Sequence, residues 1–267
     1  MLLAAGPQVS LVAEHLFDVG PIHVTNSMLL GLLGTAVVVW ALFYTVGRVR
    51  SGQHNRFSVA VLWLFESLLN TAADVLGSRE MAVKLAPLAI TMFFVICLNN
   101  WFGLLPVVGP LTWHGEPLFR GLASDLNFTA ALALITMITA QMWAIRTHGF
   151  FGNIGRYIAN PFTKPMKFFE GFLEIIAEFS RLIALAMRLF GNIFGGEVLL
   201  AVMGFITAWA APLALPPFMF LEIFVGAIQA YVFFMLTCVF VSLGVSHHDD
   251  GEEAAVGLPE DKAVPVT

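Results

Sequence analysis

Charge is scarce in this chain. Of 267 residues, 13 are Lys or Arg and 18 are Asp or Glu, 12% in all, where soluble domains carry about 25%. Hydrophobic residues make up 58%. Together the two figures exclude an ordinary soluble globule, a disordered chain and a collagen-like chain. Cysteine is nearly absent: Cys97 and Cys238 each lie in an apolar run, with no CxxC and no Cys/His zinc spacing. That excludes a disulfide scaffold and leaves two thiols in lipid or helix contacts. No Walker, HExxH or GxSxG motif is present, so nucleotide-site and ordinary hydrolase chemistry have no support. A basic surface for nucleic acid is also missing. Much of the acid sits in one tail, where Asp249, Asp250, Glu252, Glu253, Glu260 and Asp261 lie among Pro and Gly without periodicity. The tail reads as a solvated end. His247-His248 followed by Asp249-Asp250 belongs to it, and neither a metal site nor a cofactor is expected. The first twenty residues hold no Lys, no Arg and no long apolar core, unlike a signal peptide.

What the chain does have is long apolar runs. Five stretches of twenty or more residues, 27–47, 85–115, 126–145, 198–221 and 223–248, contain no Asp, Glu, Lys or Arg. A helix needs about 20 residues to cross about 30 Å of hydrocarbon, so the sequence predicts an all-α polytopic membrane protein. Spanning helices are expected at 27–47, 84–105 and 126–146. A long, tilted hairpin at 168–245 should be split by Pro212, Pro216 and Pro217 into helices of about 168–211 and 217–245. Residues 57–78 differ: Val61, Phe65, Leu68, Leu69, Ala72 and Leu76 follow helical spacing, while Glu66, Asn70 and Asp74 recur every four residues on another face. That pattern suits an amphipathic helix lying on the membrane surface. Residues 1–26 read as an extramembrane segment, 27–245 as the membrane domain and 246–267 as the acidic tail. Arg48, Arg50 and Arg56 follow the first span, and Arg146, Arg156, Lys164 and Lys167 the third, whereas 106–124 has one basic residue, Arg120. The positive-inside rule then places the N-terminus outside and the C-terminus in the cytoplasm. Asp125 is a candidate N-cap for the third span, and Asn99-Asn100 a helix-end hydrogen-bonding pair.

Between residues 171 and 243 six charges interrupt the apolar hairpin: Glu174, Glu178, Arg181, Arg188, Glu197 and Glu222. Each is costly in hydrocarbon, and such residues mark pathways or relays. Glu174, Glu178, Arg181, Arg188 and Asn192 are spaced 4, 3, 7 and 4 residues apart and share a helix face. Glu178 and Arg181 are close enough to pair, but Arg188 has no acid one turn away. Two readings of Arg188 stand. It is either a permanent cation facing a carboxylate from another chain, or an arginine that snorkels or pairs with Glu222 or a hairpin carbonyl. Glu197 is nine residues beyond Arg188, half a turn out of phase. Glu222 and Gln229 share a face of the last helix. Two polar tracks on either side of an arginine suit an interrupted ion path; helix–helix hydrogen bonding is the alternative for Glu197 and Glu222.

Residues 185–197, LAMRLFGNIFGGE, resemble the signature segment of subunit a of F-type ATP synthases. GAIQAYVFFMLT at 226–237, NWFGLLP at 100–106 and SDLN at 124–127 resemble further motifs of that family, in its order. The resemblance implies a stator subunit that conducts protons or sodium ions through two offset half-channels against a rotating ring of subunit c. Subunit b of the peripheral stalk, the rest of the complex and membrane lipid are the other implied partners. By position it makes Arg188 the essential arginine facing the ring carboxylate, with Asn192, Glu197, Glu222 and Gln229 along the aqueous paths and Glu174 and Arg181 nearer the cytoplasm. Glu178 falls on the same track. It also implies a bacterial inner-membrane location and no active site within this chain. One departure is visible, since some members carry His where this chain has Glu222. The competing classes are an autonomous channel or secondary transporter, which would conduct without a ring, and an intramembrane protease, for which no catalytic set is found.

Overall fold

A computed structural model describes residues 14–19, 22–52, 55–105, 112–113, 116–117, 119–157 and 165–246. A short antiparallel hairpin, β1 (His15–Val19) and β2 (Ile22–Thr25), leads directly into α1 (Asn26–Arg50). The apolar patterning did not foretell this hairpin. It is fixed by the Glu14 and Asn26 backbones (Asn26 N donates to Glu14 O, 3.1 Å) and by the Asn26 side chain, whose oxygen accepts from Glu14 N at 3.2 Å. Thr25 caps α1 by accepting from Met28 N.

Then follow α2 (Arg56–Leu76), α3 (Arg79–Gly103), the two-residue strands β3 (Thr112–Trp113) and β4 (Glu116–Pro117), and a 3-10 turn at Leu122–Ser124. Next come α4 (Leu126–Tyr157), α5 (Pro165–Thr207), a 3-10 turn at Ala208–Ala210, and α6 (Ala211–Ser246). Asp125 is the cap that the sequence suggests: its Oδ1 accepts from Asn127 N at 2.9 Å, and its Oδ2 accepts from Ser27 Oγ at 3.1 Å. One carboxylate thus ties the starts of α1 and α4 together.

Among the described residues five stretches are long and apolar enough to cross a membrane: Asn26–Arg50, Arg56–Leu76, Arg79–Gly103, Leu126–Phe150 and Phe168–Val245, the last holding most of α5 and α6. α3 and α6 form the centre, with Leu85, Ile90, Ile96 and Cys97 buried on one and Phe233, Phe234, Cys238 and Val241 on the other. Both thiols are therefore core atoms, as expected. Gly244 lets α6 approach α4, where an added Cβ would lie 3.2 Å from the Ala140 carbonyl oxygen. Large apolar side chains such as Trp40, Phe43, Phe179, Phe220 and Phe224 point outward, as they do when the solvent is lipid. α2 packs on this centre through Leu68 and Ala72 and leaves Glu66, Asn70 and Asp74 exposed.

Three boundaries differ from the sequence reading. The hairpin turns at 208–210, before Pro216 and Pro217, which lie inside α6. The break comes from backbone geometry: Thr207 Oγ1 donates to the Met203 carbonyl at 2.6 Å, and Ala208 takes φ 41°, in the left-handed region. A proline stops a helix only where a lost donor or ring clash is not outweighed by packing, and these two fall within the first two turns. Helix also continues past residue 146 to 157, with a kink at Gly149 (φ 75°) that only glycine adopts without strain. Finally, α5 has 43 residues, about 65 Å at 1.5 Å per residue. That is twice the hydrocarbon thickness, so tilt or projection beyond it is unavoidable. The tail with His247-His248 and most of the 106–118 loop lie outside the described residues.

Candidate functional site

α5 carries two polar clusters near its ends and Arg188 between them. The first cluster surrounds Glu197. Half a turn out of phase with Arg188, Glu197 points inward, where Arg120 Nε lies 3.4 Å from its Oε2. Arg120 is itself buried. Its Nε also donates to Ser124 Oγ at 3.0 Å, Ser124 Oγ donates to the Gly121 carbonyl at 2.8 Å, and the guanidinium sits 5.9 Å from the Phe194 ring centre. Glu222 reaches across from α6 and rests its carboxylate against the backbone of Gly196, where any Cβ would overlap it. Glu197, Glu222, Asn100, Ile193, Gly103, Leu104 and Gly121 line one cavity of about 20 Å³, room for about one water. Asn100 is buried, and neither of its amide atoms has a partner among the described residues; the same holds for Nε2 of buried Gln229.

The second cluster surrounds Glu178. Gln141 Nε2 on α4 donates to Glu178 Oε1. Arg181 Nη2 lies 3.6 Å from Glu174 Oε1, so the ion pair spans two turns of α5 and not the single turn from Glu178 that the spacing suggested. Arg181, Glu178, Gln141, Met137, Ala140, Phe240 and Gly244 line a second cavity, of about 10 Å³. Nearby, His148 Nε2 and the Gly244 carbonyl oxygen are 3.2 Å apart and join the ends of α4 and α6.

Arg188 belongs to neither cluster. It is exposed on the outer face of α5 and, among the described residues, forms no ion pair or hydrogen bond. Pairing with Glu222, part of one of its two sequence readings, is not what the structure holds: the Glu222 carboxylate is buried against Gly196, eight residues further along α5, about 12 Å along the axis. Arg188 stands ten residues beyond Glu178 and nine before Glu197, about 15 and 14 Å along the axis. Asn192, one turn on, is half-buried beside it.

The structure thus brings Glu197 and Glu222 together, and separately Glu174, Glu178 and Arg181. The sequence reading missed Arg120, Ser124, Asn100 and Gln141. Arg120 was visible as the one basic residue of its loop and Asn100 as half of a polar doublet in an apolar run. Neither signal names a partner, because the contacts join distant segments.

A bundle of apolar helices with two buried polar clusters and an outward arginine is a multi-pass helical membrane protein, its ionisable groups placed as in proteins that move ions. Comparison with known proteins gives the particular kind. Residues 28–242 match the family described as ATP synthase A chain. ATP synthase subunit a of Helicobacter pylori strain P12 is 32% identical over 231 residues, covering 85% of this chain and 93% of the relative. That of Enterococcus faecalis is 28% identical over 234 residues, 85% and 95% of the two chains, and that of Campylobacter concisus 33% over 187 residues, 69% and 75%. The chain belongs to the ATP synthase subunit a family, the proton-translocating stator subunits of the F-type ATP synthase, and is a component of that complex.

Proposed function

We propose that this chain conducts protons through two offset half-channels, with Arg188 facing the ring carboxylate of subunit c between them. The observation that carries this reading is the outward, unpaired Arg188 midway between two inward polar clusters. The Asn100–Glu197–Glu222 cavity serves the outer half-channel, with Asn192 and Gln229 on the same path. The Glu174–Glu178–Arg181 cluster serves the cytoplasmic one. The N-terminal hairpin and residues 1–26 lie outside a bacterial inner membrane, the tail of 246–267 lies inside, and α2 rests at the surface with its Glu66–Asn70–Asp74 face in water. Subunit b of the peripheral stalk holds the chain against the turning ring.

The physics of the gate follows from charge. A guanidinium stays protonated, so a ring carboxylate beside it is stabilised as the anion. To turn into lipid that carboxylate must first take a proton, because a bare charge in hydrocarbon costs several kcal/mol. The same fixed cation blocks a proton from passing directly between the two cavities. Each proton crossing 100 mV carries about 2.3 kcal/mol, and rotation of the ring becomes its only route.

The test is ATP-driven acidification of membrane vesicles, with assembly of the complex verified. Arg188→Ala abolishes pumping while passive proton leak through the assembled complex persists or rises. Arg188→Lys keeps a charge but loses the planar fork and does not restore full coupling. Wild-type pumping by assembled Arg188→Ala complexes would refute the gate.

A further inference from the structure

We infer that Arg120 is a positioning residue for proton transfer at Glu197: its guanidinium holds the Glu197 carboxylate against the 121–124 turn so that it faces Glu222 across their shared cavity. The inference rests on the reading of that cavity as a proton half-channel.

Four observations converge on Arg120. It is only 8% exposed although it comes from a loop, so its charge is committed to the interior. Its Nε is shared between Glu197 Oε2 at 3.4 Å and Ser124 Oγ at 3.0 Å, and Ser124 is anchored in turn on the Gly121 carbonyl at 2.8 Å. The face of its guanidinium is covered by Phe194, one helical turn before Glu197 on α5. The other carboxylate oxygen, Oε1, is met by the backbone of Gly121, where an added Cβ would lie 2.8 Å from it. One short segment, residues 120–124, thus pairs with one carboxylate oxygen of Glu197 and packs against the other.

A glutamate has three side-chain torsions and, unheld on a membrane helix, would sample several directions. Proton exchange with a neighbouring carboxyl needs heavy atoms within about 2.6–3.2 Å, or one water between them. The cavity between Glu197 and Glu222 is of one-water size, so the direction in which Glu197 points decides whether the relay closes. The Arg181–Glu174 pair makes the contrast. There both partners come from α5 itself, and the arginine side chain is 30% exposed against 9% for Arg120.

The experiment uses the assembled ATP synthase in inside-out vesicles and reads the initial rate of ATP-driven acidification. Four chains are compared: Arg120→Met, Arg120→Lys, Glu197→Gln, and the double variant Arg120→Met/Glu197→Gln. Arg120→Met, similar in length but uncharged, slows pumping about tenfold or more, the scale of a misplaced reacting group. Arg120→Lys recovers part of the rate because a cation is restored without the fork. The double variant pumps no more slowly than Glu197→Gln alone, since the residue that Arg120 orients is already lost.

Wild-type pumping by Arg120→Met overturns the inference. So do losses that multiply in the double variant, which would assign Arg120 to general packing. If Glu197→Gln pumps at the wild-type rate, the half-channel reading fails, and a slow Arg120→Met beside it means that Arg120 acts through another residue. Should Arg120→Met fail to assemble, Ser124→Ala carries the same comparison by removing only the hydroxyl that braces Nε. It slows pumping about threefold in the parent chain and has no effect beside Glu197→Gln; equal slowing in both backgrounds overturns the inference.

Discussion

At Glu197 a carboxylate meets an arginine from a loop 77 residues earlier in the chain; at Glu174 it meets one seven residues along its own helix. The first cluster draws on α3, the 121–124 turn, α5 and α6, and its members are mostly buried. The second cavity is lined by α4, α5 and α6, but its ion pair, Arg181 with Glu174, lies within α5 alone. The contrast teaches where precision is invested. A cluster assembled from four elements holds its groups in fixed mutual geometry, because moving one means moving a packed helix. An ion pair within one helix keeps the freedom of its long side chains. Under the proposed function, proton relay between two carboxyls uses the first arrangement and entry of water from the cytoplasm the second.

Substitutions that respect charge but alter space break this comparison most sharply. Gly196→Ala adds a methyl group where the Glu222 carboxylate now rests. The carboxylate is the free end of a flexible side chain, so the fold tolerates the change and the complex assembles. The carboxylate itself must leave its place beside Glu197, and ATP-driven pumping falls about tenfold or more. Assembled Gly196→Ala complexes pumping at the wild-type rate would show that the approach of Glu222 to α5 is incidental. A smaller effect is expected in the second cluster. Gln141→Leu removes the donor to Glu178 at a half-buried site where water and neighbouring side chains can replace the lost bond, so that only a fraction of a hydrogen bond's net worth, about 0.5–1.5 kcal/mol, is forfeited. Pumping falls about two- to threefold, with the complex intact. A loss as large as that of Gly196→Ala would put both clusters in the same rigid class.

The sequence carried the membrane class directly, because runs without charge have one physical explanation at this length. It also carried the Arg188 face, since helical periodicity places Glu174, Glu178, Arg181, Arg188 and Asn192 in one row, and it placed Glu197 half a turn away by arithmetic alone. The Asp125 cap was legible because capping is local. The hairpin turn was misplaced because prolines were taken as the breakers, whereas the chain reverses at Ala208 through a left-handed backbone step that no residue type announces. Arg120 stayed illegible for the reason that makes it interesting: its partners Ser124, Phe194 and Glu197 come together only through the packing of a loop on α5. The Glu178–Arg181 pairing failed for a related reason. Spacing says which residues share a face, but not that Arg181 lies on Glu174 while Glu178 accepts from Gln141 of α4.

Under the proposed function the two clusters open to opposite sides of the membrane and do not communicate past Arg188. Replacing Cys97 and Cys238 by Ser and introducing either Asn100→Cys or Gln141→Cys puts one thiol in each cavity. Silver ion is then added to right-side-out or inside-out vesicles, and inhibition of proton conduction is followed. Asn100→Cys is expected to be inhibited from the outer face alone and Gln141→Cys from the cytoplasmic face alone. Inhibition of both variants from the same face, or of either from both faces, would contradict the proposed function.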